Sequence, residues 1–350
     1  MTVVLVTGAG GLIGSEASET YLKRGWDVVG IDNNSRARFF GPDGCIAKTL
    51  TDLEKRYEKF DYFNVDIKDF KAVKHVISKT YPDIVIHCAA QPSHDKAASI
   101  PFDDFDTNAR GTLNMLEAVR QTNVTIPFVH VSTNKVYGDT PNRLRLVEGV
   151  TRYACADEKY SDGIDETMSV DNCTHSLFGA SKLSGDVMAQ EYGRYFGMKT
   201  GIFRGGCLTG SRHASVKLHG FLSYIVKCAV SKKPYTIIGY KGKQVRDQIH
   251  SSDVISAFDT FINNPDCGEV YNLGGEMRNS ASVLDIVSMI KFRYGIEMQT
   301  SYDQVPRIGD HIWYVSSMKK FKNRYPSWSI KMTLPEIIDQ IYDCEKRANP

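Results

Sequence analysis

TVVLVTGAGGLIG, residues 2–14, decides the fold of this 350-residue chain. Thr2 to Thr7 is a nearly unbroken apolar and β-branched run, the mark of a parallel strand buried on both faces. Gly8, Gly11 and Gly14 follow as GxxGxxG, Leu12 and Ile13 lie between them, and Ser15 to Arg24 has helical spacing. Glycines between a buried strand and a helix start let the backbone approach a pyrophosphate, where free amides and the helix dipole favour an anion. Glycine spacing alone also fits a plain turn in an α/β protein; the flanking strand and helix point to a dinucleotide. Trp26 to Ile31 is the next strand, with Asp32 and Asn33 at its tip. A carboxylate there can accept both hydrogen bonds from an adenosine ribose and repels a 2'-phosphate, so NAD is expected rather than NADP. Arg36 and Arg38 are the complication, since either could partner a phosphate.

Working outward, Asn64 to Ile67 reads as a strand end, Asp69 to Thr80 as a helix, Ile84 to Cys88 as an apolar strand, Thr107 to Gln121 as a long helix and Phe128 to Ser132 as a strand. This alternation predicts an α/β fold with a doubly wound, open parallel sheet of the Rossmann type. Asp66 and Ile67 could bracket an adenine. Ala89, Ala90 and Gln91 are small or polar residues beyond a strand end, with room for a pyrophosphate and a nicotinamide ribose; each could equally be a plain loop residue. Leu50 to Phe60 is expected to be helical, whereas Leu146 to Met168 lacks periodicity, and loops of that length usually carry function. Helix returns from Phe178 to Phe196 and strand from Thr200 to Phe203. Beyond residue 210, helical patterns at 219–231, 253–263, 283–294 and 334–348 alternate with short strands such as Tyr235 to Ile238 and Val270 to Leu273. The expected organisation is a mainly dinucleotide-binding domain over residues 1–210. A smaller, discontinuous C-terminal α/β substrate-binding region over 211–350 completes it, with segments interchanging between the two.

The 43 basic and 41 acidic side chains nearly cancel, which argues against a nucleic-acid or other polyanion surface. Eight cysteines without a CxxC pair read as free thiols in a reducing compartment, with neither disulfide nor metal expected. No run reaches the roughly 20 apolar residues of a membrane helix, and the N-terminal strand lacks signal-peptide features, so the expected location is cytoplasmic.

TGAGGLIG at 7–14, CAAQ at 88–91, NARGTLNMLEAVR at 108–120, STNKVYGD at 132–139 and FGASK at 178–182 resemble the extended short-chain dehydrogenase/reductase family of nucleotide-sugar epimerases and dehydratases. The TRYAC insert at 151–155 and GKQVRDQIHSSDV at 242–254 are similar to its CDP-sugar 2-epimerases. The resemblance implies tightly bound NAD, oxidation of a sugar carbinol (here at C2) and return of the hydride to the other face of the ketose. Activity of an isomerase, without net redox, is thus the expectation. It also implies that Asn108 and Phe203 lie near the cofactor, that Thr133 bonds the reacting hydroxyl, that Asn134 contacts the sugar and that Lys182 holds the nicotinamide ribose.

Where that family keeps the tyrosine of YxxxK, this chain has Phe178. Positions 178 and 182 are one helical turn apart on one face, but phenylalanine has no proton to transfer. An engineered Tyr-to-Phe substitution, a natural subgroup with another acid–base group, and a binding protein without catalysis each account for it. HSLFGASK reads as a native pattern, which favours the second. Lys135, two residues past Thr133 and near a second cation, is the first choice of base; Tyr153, Cys155, His94, His175 and Cys207 are the others. His94 and Cys207 also fall among the expected substrate contacts. Arg246 matches the family arginine for the diphosphate and Arg307 a second one, a guanidinium fork suiting phosphate. Lys217 and His219 are further phosphate candidates. The base is unread by any of these residues, so a CDP-sugar rests on whole-chain similarity. The resemblance also implies that helices near 108–121 and 179–196 pair across a two-fold axis in a homodimer; Leu113, Leu116, Val187 and Tyr195 have suitable spacing, although a buried domain helix would show them too.

Overall fold

The computed structural model describes residues 2–212, 220–306 and 309–348. The chain forms two compact units, the first made of Met1–Val136, Leu177–Arg204 and Val254–Tyr271 and the second of Tyr137–Ser176, Gly205–Asp253 and Asn272–Pro350.

The first unit is built on a seven-stranded sheet. Its N-terminal strands are β1 (Val3–Thr7), β2 (Asp27–Asp32), β3 (Phe60–Asn64), β4 (Ile84–His87) and β5 (Phe128–Thr133). They run in the order β5-β4-β1-β2-β3, and Thr200–Gly205 and Glu269–Leu273 extend the sheet beyond β5. The pairs β1–β2, β1–β4, β2–β3 and β4–β5 are parallel. Strand order reverses between β1 and β4, and the carboxyl ends at such a switch point form the ligand crevice of open α/β sheets. Leu5, Val29, Val85 and Phe128 from the strands pack with Val76, Met115 and Leu116 from the helices in one apolar core.

Several expected boundaries move. The third strand is Phe60–Asn64, not Asn64–Ile67. Gly30 leaves space for the Phe60 ring, since a Cβ there would lie 2.8 Å from Phe60 Cζ. Asp66 instead starts a turn, accepting the Lys68 amide at 2.9 Å, and Asp69 caps the helix Phe70–Thr80. The helix expected over Leu50 to Phe60 is Ala47–Arg56, because Phe60 belongs to the strand. The long helix expected from Thr107 begins as a π-helical turn, Asp106–Arg110, and becomes α-helical only over Gly111–Thr122. The Val270 to Leu273 strand joins the large sheet rather than the second unit's sheets.

In the second unit Val245–His250 pairs antiparallel with Ser280–Ser282 and parallel with Trp313–Tyr314 and Cys207–Thr209. Helices Phe221–Val230, Val283–Tyr294 and Leu334–Ala348 meet over Ile225, Ile286, Ile290, Ile337 and Ile338. The aperiodic stretch after Leu146 is ordered: Leu146–Glu148 and Tyr153–Cys155 form an antiparallel hairpin. Charge holds it, with Glu148 between Lys241 and Lys243, and Arg152 on Asp285. All eight cysteines are free thiols. No helix among the described residues is long and apolar enough to cross a membrane.

The first unit's most buried ion pair joins Asp186 of helix Ser176–Phe196 to Arg204, at 2.9 Å, with Ser132 of β5 donating to the same carboxylate at 2.6 Å. Removing one member of such a pair leaves a buried charge uncompensated. Asp186→Ala is therefore expected to lower unfolding free energy by about 3–5 kcal/mol in urea denaturation; a loss under about 1 kcal/mol would show that the pair is relaxed by water.

Candidate active site

The glycine loop sits at the carboxyl end of β1. Gly8 has φ +67°, in the left-handed region, and its amide donates to the Ile31 carbonyl of β2 at 2.8 Å. A Cβ on Gly14 would lie 2.1 Å from the Gly8 carbonyl oxygen, so only glycine permits this closure of loop onto helix. Helix Leu12–Lys23 starts directly after Gly11, which brings no side-chain cap to its first amides. Leu12 and Ile13 are its opening residues. This cradle, clear of Cβ atoms and facing a helix N-terminus, fits a diphosphate.

Asp32 ends β2. Its Oδ1 accepts the Asn34 amide at 2.8 Å and its Oδ2 the Gly10 amide at 3.1 Å, which ties the strand tip to the glycine loop. Burial pushes the Asp32 carboxyl above its ordinary value, while those amides and the Arg36 guanidinium pull it back. Arg36 lies over the Phe40 ring, and Arg38 pairs with Asp103 at 3.6 Å. Asn33 folds on itself, accepting from the Ser35 amide and hydroxyl. Ile67 is buried against Gly111, where a Cβ would come within 2.6 Å of its Cδ1.

Across the switch point, Thr7 Oγ1 accepts the Ala89 amide at 3.1 Å and contacts His87 Nδ1 at 2.7 Å. Ala89 and Ala90 are half-buried at the β4 end. Gln91 is fully enclosed: its amide donates to Asn108 Oδ1 at 2.9 Å, and its Nε2 donates to Asp104 Oδ1 at 2.7 Å. Asn108 Nδ2 reaches Asp104 at 3.1 Å and Ser181 Oγ at 3.0 Å, and the Ser181 hydroxyl donates to Asp104 Oδ2 at 2.6 Å. Asp104 and Ser181 escaped the reading of the sequence. FDDFD offers three aspartates with nothing to separate them, although a serine beside the FGASK lysine was a usable signal.

Lys182 is buried, and its ammonium donates to the Val131 carbonyl of β5 at 2.7 Å. Burial lowers its pKa to about 8, while Asp186 and, more weakly, Asp104 pull it upward. His87 and His130 stack at 5.5 Å in the adjacent strands, and burial keeps both imidazoles neutral, His87 falling to about 3. Phe178 is buried one turn before Lys182 on the same helix. Thr133 ends β5, and its Oγ1 accepts the Lys135 amide at 3.3 Å and reaches Asn134 Oδ1 at 3.4 Å. Lys135 is half-buried in the 3-10 turn Asn134–Tyr137. His94 contacts Asp95 at 3.3 Å through Nδ1, while its Nε2 is buried without a hydrogen-bond partner. The first unit thus gathers the glycine loop, Asp32, Gln91, Asn108, Thr133, Lys135, Phe178 and Lys182. Phe203 lies among the aromatic rings of Phe258, Phe261 and Tyr271.

The other candidates belong to the second unit. Arg246 donates to Asp310 at 2.6 Å and to the Val245 and His311 carbonyls. Cys207 pairs with Gln248 between strands. His175 and Cys173 converge on the Val170 carbonyl, with Cys173 Sγ 3.4 Å from His175 Nε2. Tyr153 and Cys155 lie on the hairpin. Lys217, His219 and Arg307 lie outside the described residues. No group of three or more histidine, cysteine or acidic side chains that could hold a metal occurs among the described residues.

Residues 4–274 match the model of the NAD dependent epimerase/dehydratase family. The CDP-paratose 2-epimerase of Salmonella typhi is 33% identical, over 97% of this chain and 98% of that protein. The dTDP-glucose 4,6-dehydratase of Salmonella typhimurium is 28% identical over 82% of this chain and 75% of its own. Among solved structures, the UDP-glucose 4-epimerase of Thermus thermophilus in complex with NAD aligns with TM-score 0.79 and 25% identity, covering 99% of this chain and 100% of that one. The UDP-glucuronic acid 4-epimerase of Bacillus cereus, in complex with UDP-glucuronic acid and NAD, gives 0.80 at the same identity and coverage. With a glycine cradle at the sheet's switch point and the family match running from β1 past the last strand of the large sheet, this chain belongs to the NAD-dependent epimerase/dehydratase family.

Proposed function

We propose that the protein is an NAD-dependent epimerase of a nucleotide-diphosphate sugar, with a CDP-sugar as substrate and C2 as the inverted centre. The cradle at Gly8, Gly11 and Gly14 with Asp32 beyond it carries the cofactor half of this reading. NAD accompanies both related structures described above. Likeness to the Salmonella typhi 2-epimerase along nearly the whole of both chains supports the CDP-sugar and the C2 centre.

Bound NAD would take up a hydride from a sugar carbinol and return it. Gly8 to Gly14 would hold the diphosphate, Asp32 with Asn33 and Arg36 the adenosine ribose, and Asp66 and Ile67 the adenine. Ala89, Ala90, Gln91, Asn108 and Phe203 shape the remainder of that pocket. Lys182, fixed on the Val131 carbonyl, would donate to the nicotinamide ribose. Thr133 would hold the reacting hydroxyl and Asn134 and His94 the sugar, with Cys207, Arg246, Lys217, His219 and Arg307 for the nucleotide end. Phe178 moves no proton, so Lys135 takes the acid–base role. The protein works as a homodimer in this reading, through Leu113, Val187 and Tyr195, which are exposed; Leu116, also expected at that face, is instead core. Phe178 favours one other reading, a protein that binds NAD and a nucleotide sugar without turning it over. CDP-, UDP-, GDP- and dTDP-hexoses incubated with the protein and catalytic NAD in heavy water, followed by NMR, separate the two. C2 inversion of the CDP-hexose is expected, and binding without conversion of any of them contradicts the proposal.

Asp32→Ala is expected to weaken NAD binding by about 1–3 kcal/mol, as on loss of a charged hydrogen-bonding partner, and to narrow the disadvantage of NADP. Calorimetric titration of the parental protein decides the premise: tighter binding of NADP than of NAD would assign the ribose site to Arg36 or Arg38.

Lys135→Met is expected to keep NAD and nucleotide-sugar binding yet lose about tenfold to a hundredfold in turnover. Phe178→Tyr should partly rescue that variant by restoring a phenol one turn before Lys182. Parental turnover in Lys135→Met would remove the lysine from the mechanism, and a large gain from Phe178→Tyr alone would mark tyrosine as the original residue.

A further inference from the structure

Asp104 is a buried carboxylate without an ion-pair partner among the described residues. Three donors converge on it from three parts of the first unit: Gln91 Nε2 at 2.7 Å from the loop after β4, Asn108 Nδ2 at 3.1 Å from the π-helical turn, and Ser181 Oγ at 2.6 Å from the lysine helix. Asn108 closes the ring by accepting the Gln91 amide and donating to the Gln91 carbonyl at 3.2 Å. A carboxylate accepts through both oxygens and donates nothing, so it suits this arrangement of donors. Asp104 lies on the short helix Pro101–Phe105 and Asn108 in the π-helical turn that follows it, and such turns recur at functional sites.

We infer that Asp104 is a positioning residue for the dinucleotide site: its carboxyl group locks Gln91, Asn108 and the Ser181–Lys182 turn to one another. The inference rests on the cofactor reading above and extends it to a residue outside the pocket's expected contacts. Ser181 precedes Lys182 directly, so a tie at Ser181 fixes where the lysine leaves the helix. Electrostatics point the same way. Burial pushes the Asp104 carboxyl above its ordinary value, a rise that the Ser181 and Gln91 hydrogen bonds and the Lys182 ammonium offset only in part. Around Lys182, Asp186 on its own helix and, more weakly, Asp104 favour the ammonium, whereas burial pushes the Cys88 thiol beyond β4 up to about 12 and leaves it uncharged. The Lys182 charge in turn disfavours a cationic His87 on β4 or His130 on β5, both kept neutral chiefly by burial.

The sign follows from these charges. Lys182 loses its proton as pH rises through about 8. Removing the Asp104 charge moves that loss to lower pH, and with it the alkaline limb of dinucleotide affinity. NADH binding to the full-length protein, followed by nucleotide fluorescence between about pH 6.5 and 9.5, reads this without any sugar substrate. Asp104→Asn is expected to bind NADH about tenfold more weakly at neutral pH and to shift the alkaline limb down by about half a unit. A purely structural role would lower the melting temperature and leave the limb in place, and that result overturns the inference. Should Asp104→Asn fail to fold, Ser181→Ala keeps the charge and cuts the tie. Weaker NADH binding with an unmoved limb is then expected, and parental affinity overturns the inference. A parental protein that binds no NADH at all would instead contradict the cofactor reading on which this rests.

Discussion

A single buried ammonium organises the first unit. Lys182 has left water for a site between two strand ends, and an isolated charge there would cost several kcal/mol. The fold meets that cost with the Val131 carbonyl as direct acceptor and with the charges of Asp186 and, more weakly, Asp104, which favour the ammonium. Those partners have obligations of their own. Asp186 binds Arg204, Gln190 and Ser132, which joins helix Ser176–Phe196 to β5 and to strand Thr200–Gly205. Asp104 binds Gln91, Asn108 and Ser181, which joins the same helix to the loop after β4. The lysine is thereby fixed relative to the glycine loop, whose Gly8 packs against Ala89.

This arrangement explains how Phe178 can be accommodated. Neither the ring's neighbours on the helix nor the lysine's anchor depends on a phenol, because Lys182 is held from the strand side and Ser181 from the π-helical turn. In the proposed reading the cofactor role of the helix is separable from proton transfer, and only the latter needs a replacement.

The parts that were legible in the sequence are those governed by local rules. Thr2 to Thr7 reads as a buried strand, and Gly8 and Gly14 stand where a side chain would strike backbone. Asp32 followed from its place at a strand tip. Buried carboxylates were not legible, because Asp104 and Asp186 have the composition of a solvated helix face and only tertiary donors reveal their burial. Leu116 shows the reverse case: an apolar residue expected at a subunit face is core, since α-helical spacing alone does not say which face meets the sheet. The hairpin after Leu146 escaped for a third reason, being held by Glu148, Arg152 and their partners rather than by an apolar stripe. The start of strand Phe60–Asn64 depended on space left at Gly30, which no window of sequence around Phe60 contains.

The central claim is that the first unit holds NAD, which would supply reversible hydride transfer to one and the same sugar, at a site where Phe178 stands in place of a phenol. It is tested most directly with a CDP-hexose deuterated at C2, incubated with the protein and a trace of NAD. The account predicts inversion at C2 with the deuterium retained at that carbon and no accumulation of reduced nucleotide. Stoichiometric reduced nucleotide, or an unchanged sugar bound alongside NAD, would contradict it.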